Sequence, residues 1–306
     1  MKKIYMAGAG GMLGDAFFNV FKDQYEIKCS DIDLNSEWLE YLDFRDFEAY
    51  KKAVFDFKPD YIFHLGAYTN LEYCEQNSDD AYVTNTISVE NATYLANYLD
   101  IPILYISTAG IFDGSQDTYD DWSVPNPLGV YARSKYMGEL FVKENAYRYL
   151  ICRAGWMMGG DHNKDKKFVK KLLTQLNSGK KELFVVNDKM GTPTYTLDFA
   201  RNVELLISKE YWGLYNMVCR GVTSRFEVAS RILDILNLKD KISLTAVSST
   251  YFNKEYFAPR PLSERLLTKK LDYRKANIMR PWEIALEEYI ANNFQDYKLN
   301  IISSIN

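Results

Sequence analysis

The chain has 306 residues, with 37 Lys and Arg against 41 Asp and Glu, for a formal net charge of −4. That balance excludes a general electrostatic pull toward nucleic acid or an anionic membrane surface, and no apolar run approaches the ~18 residues of a membrane span. Two histidines exclude a histidine-rich metal site, and four scattered cysteines (Cys29, Cys74, Cys152, Cys219) form no CxxC, predicting reduced, buried thiols of a cytoplasmic protein rather than a disulfide framework.

Met1-Lys2-Lys3 and the apolar residues after it resemble the start of a signal peptide. Four glycines between residues 8 and 14 and the lack of a cleavage site argue instead for a buried strand, Ile4 to Ala7, running into a glycine turn. Met12 to Phe21 predicts a helix with Leu13, Phe17, Val20 and Phe21 on one face. Then follow a strand from Tyr25 to Ser30, a helix from Phe47 to Phe57 that stops before Pro59, and a strand from Tyr61 to Leu65. A long helix spans Asp79 to Leu99, a strand Pro102 to Ser107, a helix Gly129 to Asn145 and a strand Tyr149 to Arg153. Strands separated by helices of this length predict parallel βαβ units, an α/β fold with a doubly wound sheet.

The second half is less regular. Phe168 to Leu176 is amphipathic, Leu183 to Val186 is a short strand, and Leu197 to Ile207 and Val228 to Leu236 are helical. Tyr251 to Pro261 has aromatics and prolines without a period and predicts a loop; Trp282 to Asn292 predicts a closing helix. The expected division is a dinucleotide-binding domain over 1–155 plus roughly 185–220, with a smaller interleaved substrate-binding cap over 156–184 and 221–306.

Three motifs carry chemistry. Gly8, Gly11 and Gly14 form GxxGxxG between the first strand and first helix, where glycines permit a tight turn and close approach of backbone to a pyrophosphate. Asp31 ends the second strand, where a carboxylate can accept from ribose hydroxyls; with Asp33 beside it, a 2′-phosphate is disfavoured, which leans toward NADH. Tyr131 and Lys135 form a YxxxK pair at the start of a helix, following Ser107-Thr108 at a strand end. The i,i+4 spacing puts both side chains on one face, and a nearby ammonium is expected to lower the tyrosine pKa toward the range of proton transfer.

GxxGxxG, Thr108 and YxxxK together resemble the extended short-chain dehydrogenase/reductase family, and within it the dTDP-4-dehydrorhamnose reductases and their relatives. The finer likeness rests on Pro59-Asp60, Ala67-Tyr68-Thr69 with Glu75 and Asn85, Ile111-Phe112-Asp113-Gly114, Arg153-Ala-Gly-Trp156, the run from Val186 to Thr194, Gly213-Leu-Tyr-Asn, Arg260-Pro261 and Pro281-Trp282-Glu283. The resemblance implies a Rossmann-type fold and NAD(P)H-dependent reduction of the 4-keto group of a nucleotide-activated 6-deoxysugar. It implies a catalytic triad of Thr108, Tyr131 and Lys135, with cofactor contacts at Gly8, Gly11, Met12, Leu13, Asp31, Asp43, Phe44, Gly66, Ala67, Tyr68, Asn85, Tyr131 and Lys135. Substrate contacts fall on Thr69, Ala109, Trp156, Lys189, Thr192 and Arg260, with no metal, and a homodimer is plausible.

The chain departs from that family's pattern at Ala109-Gly110, which replace an Asp-Tyr pair, and at Leu262-Ser263-Glu264, where relatives show x-Asn-Ser. Lys189 stands for a Gln and Lys167 for an Asn. All four lie in expected substrate regions, which predicts retained redox chemistry on a different sugar nucleotide. Ala109-Gly110 exclude the paired acids of a 4,6-dehydratase. An epimerase retaining NAD and a non-catalytic NADP-binding regulatory subunit are the competing readings. His64, at the end of an apolar strand, reads as structural. The lysine run 164, 166, 167, 170 and 171 reads as a solvated helix face, with a diphosphate contact as the alternative, and His162 with Asp161 and Asp165 is a faint metal signal.

Overall fold

The computed structural model describes residues 1–160, 163–295 and 297. β1 (Lys3–Ala7) sends Ile4 and Met6 to one side and Tyr5 and Ala7 to the other, and all four are buried. Apolar residues on both faces mark a parallel strand covered by helices on each side. Onward run α1 (Met12–Phe21), β2 (Glu26–Asp31), β3 (Leu39–Tyr41), α2 (Phe47–Phe57), β4 (Tyr61–His64), α3 (Leu71–Gln76), α4 (Ser78–Tyr82), α5 (Ser88–Tyr98), β5 (Ile103–Thr108), α6 (Val130–Asn145) and β6 (Tyr149–Ala154). The rest comprises β7 (Trp156–Met158), α7 (Phe168–Asn177), β8 (Glu182–Val186), β9 (Met190–Gly191), β10 (Pro193–Tyr195), α8 (Thr196–Ser208), β11 (Gly213–Asn216), β12 (Thr223–Ser224), α9 (Arg225–Ile235), β13 (Ser243–Val247), β14 (Ser263–Glu264), α10 (Lys269–Tyr273) and α11 (Trp282–Asn293).

Seven strands form one sheet in the order β3-β2-β1-β4-β5-β6-β11, with every neighbouring pair parallel. The order reverses between β1 and β4, which opens a crevice at the carboxyl ends of those strands. Helices α1 and α8 pack on one face, where Phe17 meets Phe21, Phe63 and Phe199 at 5.6 to 6.3 Å between ring centroids. Each such pair adds about 0.5–1.5 kcal/mol beyond area burial. On the opposite face, Tyr5, Tyr50, Val54, Ile62, Val89, Tyr105 and Ile151 form a second buried cluster under α2, α5 and α6. Asp46 caps α2 by accepting from the Ala49 N–H, and Lys58, at φ 53, ends it before Pro59.

The helical path expected from Asp79 to Leu99 exists, but not as one regular helix. Residues Val83–Ile87 form a π-turn between α4 and α5. The extra residue turns Thr84, Asn85 and Thr86 into the interior, against α6. Hydrophobic period alone does not reveal such a bulge.

The remaining strands are short. β7 pairs with β10, β9 lies between β12 and β14, and β8 pairs with β13 rather than joining the large sheet. Their helices share one core with the sheet: Leu172, Leu183, Val228 and Ile232 belong to the same buried cluster as Ile4, Phe17 and Phe199. All four cysteines are buried and free. Among the described residues, no helix is long and apolar enough to cross a membrane.

Candidate active site

The crevice begins with the glycine turn. Gly8 has φ +74, and a Cβ there would lie 2.2 Å from the Gly66 Cα, so the turns after β1 and β4 touch backbone to backbone. Only glycine permits both the conformation and the contact. Asp31 Oδ2 accepts from the Gly10 N–H at 2.8 Å, and Asn35 donates to the Gly10 carbonyl at 2.9 Å, which fixes the loop. Nothing lies within 4 Å of a Cβ built on Gly11. Gly11 caps α1 without a side-chain acceptor, leaving the first-turn N–H groups at Met12 and Leu13 for a ligand anion. This open cradle fits the pyrophosphate of a dinucleotide.

Thr108 closes β5, and Tyr131 and Lys135 lie on the first turns of α6. Glu75, from α3, supplies the cap that Gly129 lacks: its Oε1 accepts from the Val130 N–H at 2.6 Å. Behind the helix, Ser107 donates to Glu139 at 2.5 Å, and Glu139 forms a buried bidentate pair with Arg153. The Lys135 ammonium lies 4.2 Å from the Tyr105 ring centroid, and the Tyr105 hydroxyl donates to the Lys135 carbonyl at 2.8 Å. Burial pulls the Lys135 pKa down to about 7, partly opposed by the Glu139 carboxylate.

The expected lowering of the Tyr131 pKa is not found. Burial pushes the phenol up to about 12; the hydrogen bond with Thr108 opposes this, while Cys74 and Glu264 reinforce it. Tyr131 is therefore protonated near neutrality, which suits a proton donor. Asn85, expected as a cofactor contact, has its side-chain amide bonded within the protein. It is fully buried, its Oδ1 accepts from the Tyr68 N–H, and its Nδ2 donates to the Tyr68 carbonyl and to Ser134. Its amide is committed to tying the loop after β4 to α6.

Opposite this face, the Trp156 indole N–H donates to Glu264 at 2.7 Å, and the Arg225 guanidinium lies 3.9 Å from the Trp156 ring centroid. Burial draws the Arg225 pKa down to about 10. Neither Glu264 nor Arg225 was among the expected contacts; no local motif marks them, and Glu264 had shown only as a departure from the family pattern. Arg260 grips Glu72 with both ends of its guanidinium, and Lys189 donates to the Arg260 carbonyl at 2.7 Å. These two cations therefore tie the 258–261 segment in place. Thr192 is 2% exposed and its hydroxyl accepts from the Leu266 N–H. Ala109 is buried against Ile111, Phe112 and Leu266. Both are walls of the fold, not open contact points, because their side chains are already surrounded by protein.

Thr69 is exposed at the crevice mouth and accepts from Lys167 at 2.9 Å. The lysine run is not one solvated face. Lys164 is buried, paired with Asp15 at 2.6 Å, while Lys167, Lys170 and Lys171 reach Thr69, Tyr297 and Tyr256. The Asp43 carboxylate is held by Arg45, which also keeps it below its ordinary range. The Phe44 ring stands edge-on to His64 and covers Gly66, and Ala67 and Tyr68 follow in the same loop. His64 is fully buried, bonded to Ser88 at 3.1 Å, and burial depresses its pKa to about 3. Asp161 and His162 lie outside the described residues; among those described, no group of three His, Cys, Asp or Glu is arranged to hold a metal.

Against this geometry, a family model described as the RmlD substrate binding domain matches residues 1–294. The spore coat polysaccharide biosynthesis protein SpsK of Bacillus subtilis is 30% identical over 294 residues, covering 95% of this chain and 97% of its own. The dTDP-4-dehydrorhamnose reductase of Escherichia coli is 27% identical over 267 residues, covering 82% and 86%. The crystal structure of dTDP-4-dehydrorhamnose reductase from Bacillus anthracis in complex with NADP superposes with a TM-score of 0.86 at 30% identity, covering 96% of this chain and all of that one.

Proposed function

The chain belongs to the family of the RmlD substrate binding domain, and from that premise we propose that it is an NAD(P)H-dependent oxidoreductase reducing the 4-keto group of a nucleotide-activated 6-deoxysugar. The observation that carries this reading is the hydrogen bond between Tyr131 and Thr108 at the carboxyl end of β5, with Lys135 one turn further along α6, in the sheet that also holds the open glycine cradle.

When bound, NAD(P)H supplies the hydride. The first-turn N–H groups at Met12 and Leu13 and the N-terminal dipole of α1 would hold its pyrophosphate, over the space that Gly11 leaves open. Tyr131, protonated, gives its proton to the carbonyl oxygen as charge develops there. Thr108 hydrogen-bonds the same oxygen, a donor aimed where the negative charge appears. Lys135, in its charged form, stabilises the phenolate left on Tyr131 and orients the nicotinamide ribose.

Asp31 supports a preference for NADH, because its carboxylate stands beside the loop where a 2′-phosphate would have to fit. A homodimer and a cytoplasmic location go with this reading. Neither an epimerase nor a regulatory subunit is favoured by a specific contact. The test follows NADH and NADPH oxidation by the purified protein with a panel of nucleotide-linked 4-keto sugars. Oxidation with at least one sugar is expected, faster with NADH. No oxidation with any sugar, together with stoichiometric cofactor retained through purification, would indicate the epimerase instead.

A further inference from the structure

Glu264 lies where the resembled reductases carry serine, and it is held in a built position. β14 pairs with β9 in fixed register, Glu264 opposite Gly191. A Cβ on Gly191 would fall 2.4 Å from the Trp156 ring, so the strand and the indole pack without room for a side chain. The indole N–H takes Glu264 Oε2 at 2.7 Å. The other oxygen faces β5: the point where a Cβ on Gly110 would sit is 3.5 Å from Glu264 Oε1 and 3.5 Å from Thr108 Oγ1. The carboxylate and the hydroxyl expected at the reacting carbonyl thus flank one point, within reach of a single sugar ring.

A carboxylate oxygen accepts about two hydrogen bonds, and among the described residues the hydrogen bond to Glu264 uses Oε2 alone. The facing pair Ala109-Gly110 brings no polar side chain. Acceptor capacity absent from that side is therefore supplied from β14. The Glu264 charge also acts on Tyr131, Lys189 and Arg225.

We propose that Glu264 Oε1 accepts a hydrogen bond from a hydroxyl on the sugar carbon next to the carbonyl being reduced, and so determines which sugar is accepted. This rests on the reductase reading and adds a specificity residue to it. Gly110 leaves the space for that hydroxyl, and Trp156 keeps the carboxylate from swinging away.

The test compares a dTDP-linked 4-keto-6-deoxyhexose bearing its 3-hydroxyl with the 3-deoxy counterpart. Wild type should favour the hydroxyl sugar by roughly 10- to 100-fold in kcat/KM, as expected for a hydrogen bond to a charged group. In Glu264→Ala the preference should collapse to near parity. Glu264→Ser, which restores the resembled enzymes' residue, should do the same and guards against a folding defect. The ratio is read within each enzyme, so a general loss of active protein cancels. Retention of the full preference in both variants, or wild-type preference for the deoxy sugar, overturns the proposal alone. A wild-type protein that turns over neither sugar nor any other of the panel overturns the reductase reading and this proposal with it.

Discussion

Glu75 reaches from α3 to the N-terminus of α6, where its Oε1 accepts from the Val130 N–H at 2.6 Å, one residue before Tyr131. A cap on the helix is thus also a support for the proton donor. Glu75→Ala should cost about 1 kcal/mol, the usual worth of a lost cap, and should lower kcat more than it weakens cofactor binding. Glu75→Gln keeps an acceptor and should recover most of both. Urea unfolding and steady-state rates on the three proteins decide this; an alanine variant with wild-type kcat removes the link between cap and catalysis.

Tyr131→Phe deletes the hydroxyl while keeping the ring. With no group to give the proton, turnover should fall by roughly 10²- to 10⁴-fold, and NADH affinity measured by fluorescence titration should stay near wild type. Comparable turnover in the variant would exclude Tyr131 as the donor.

Five of the seven central strands were legible: β1, β4, β5 and β6 are buried on both faces, and helices begin and end at clear signals, such as Gly11 before α1 and Pro59 after α2, whereas the short β3 and β11 were not read as strands. β7, β9, β10, β12 and β14 have two or three residues each, too few for any period, and exist because neighbouring chain pairs with them. The same distinction holds in the site. Tyr131 and Lys135 show themselves by helical spacing, but the significance of Glu264 depends on an indole 108 positions away. Asn85 was noticed by its motif position, yet its commitment to Tyr68 and Ser134 follows from a π-turn that leaves no mark on the hydrophobic pattern.

Gly8 and Gly11 separate fold from binding. Gly8→Ala forces a Cβ to 2.2 Å from Gly66 at positive φ, so it should lower Tm markedly. Gly11→Ala meets nothing within 4 Å; Tm should hold while NADH affinity drops, because the methyl occupies the pyrophosphate cradle. Thermal melts with and without NADH distinguish the two, and a Gly11→Ala protein stabilised by NADH as strongly as wild type would contradict the cradle.

Lys135 links activity and stability through one proton. Burial lowers its pKa from 10.5 to about 7 in the folded state, so the native fold disfavours a charge that the unfolded chain accepts. Below about 7 both states are protonated and the full penalty applies. Between about 7 and 10.5 the unfolded chain binds the extra proton, so this group makes stability rise with pH, by up to about 1.4 kcal/mol per unit. Lys135→Met removes the penalty: the variant should be inactive yet more stable than wild type near neutrality, with the difference vanishing toward 10.5. Activity runs the other way. Reduction needs the ammonium, so kcat/KM should fall as pH rises through about 7, and Glu139→Gln, which removes a carboxylate that raises the Lys135 pKa, should move that fall to lower pH. Urea unfolding of wild type and Lys135→Met across this range, with pH–rate profiles of wild type and Glu139→Gln, checks both limbs. A Lys135→Met protein no more stable than wild type at neutrality, or a flat rate profile, contradicts the buried ammonium as the titrating group.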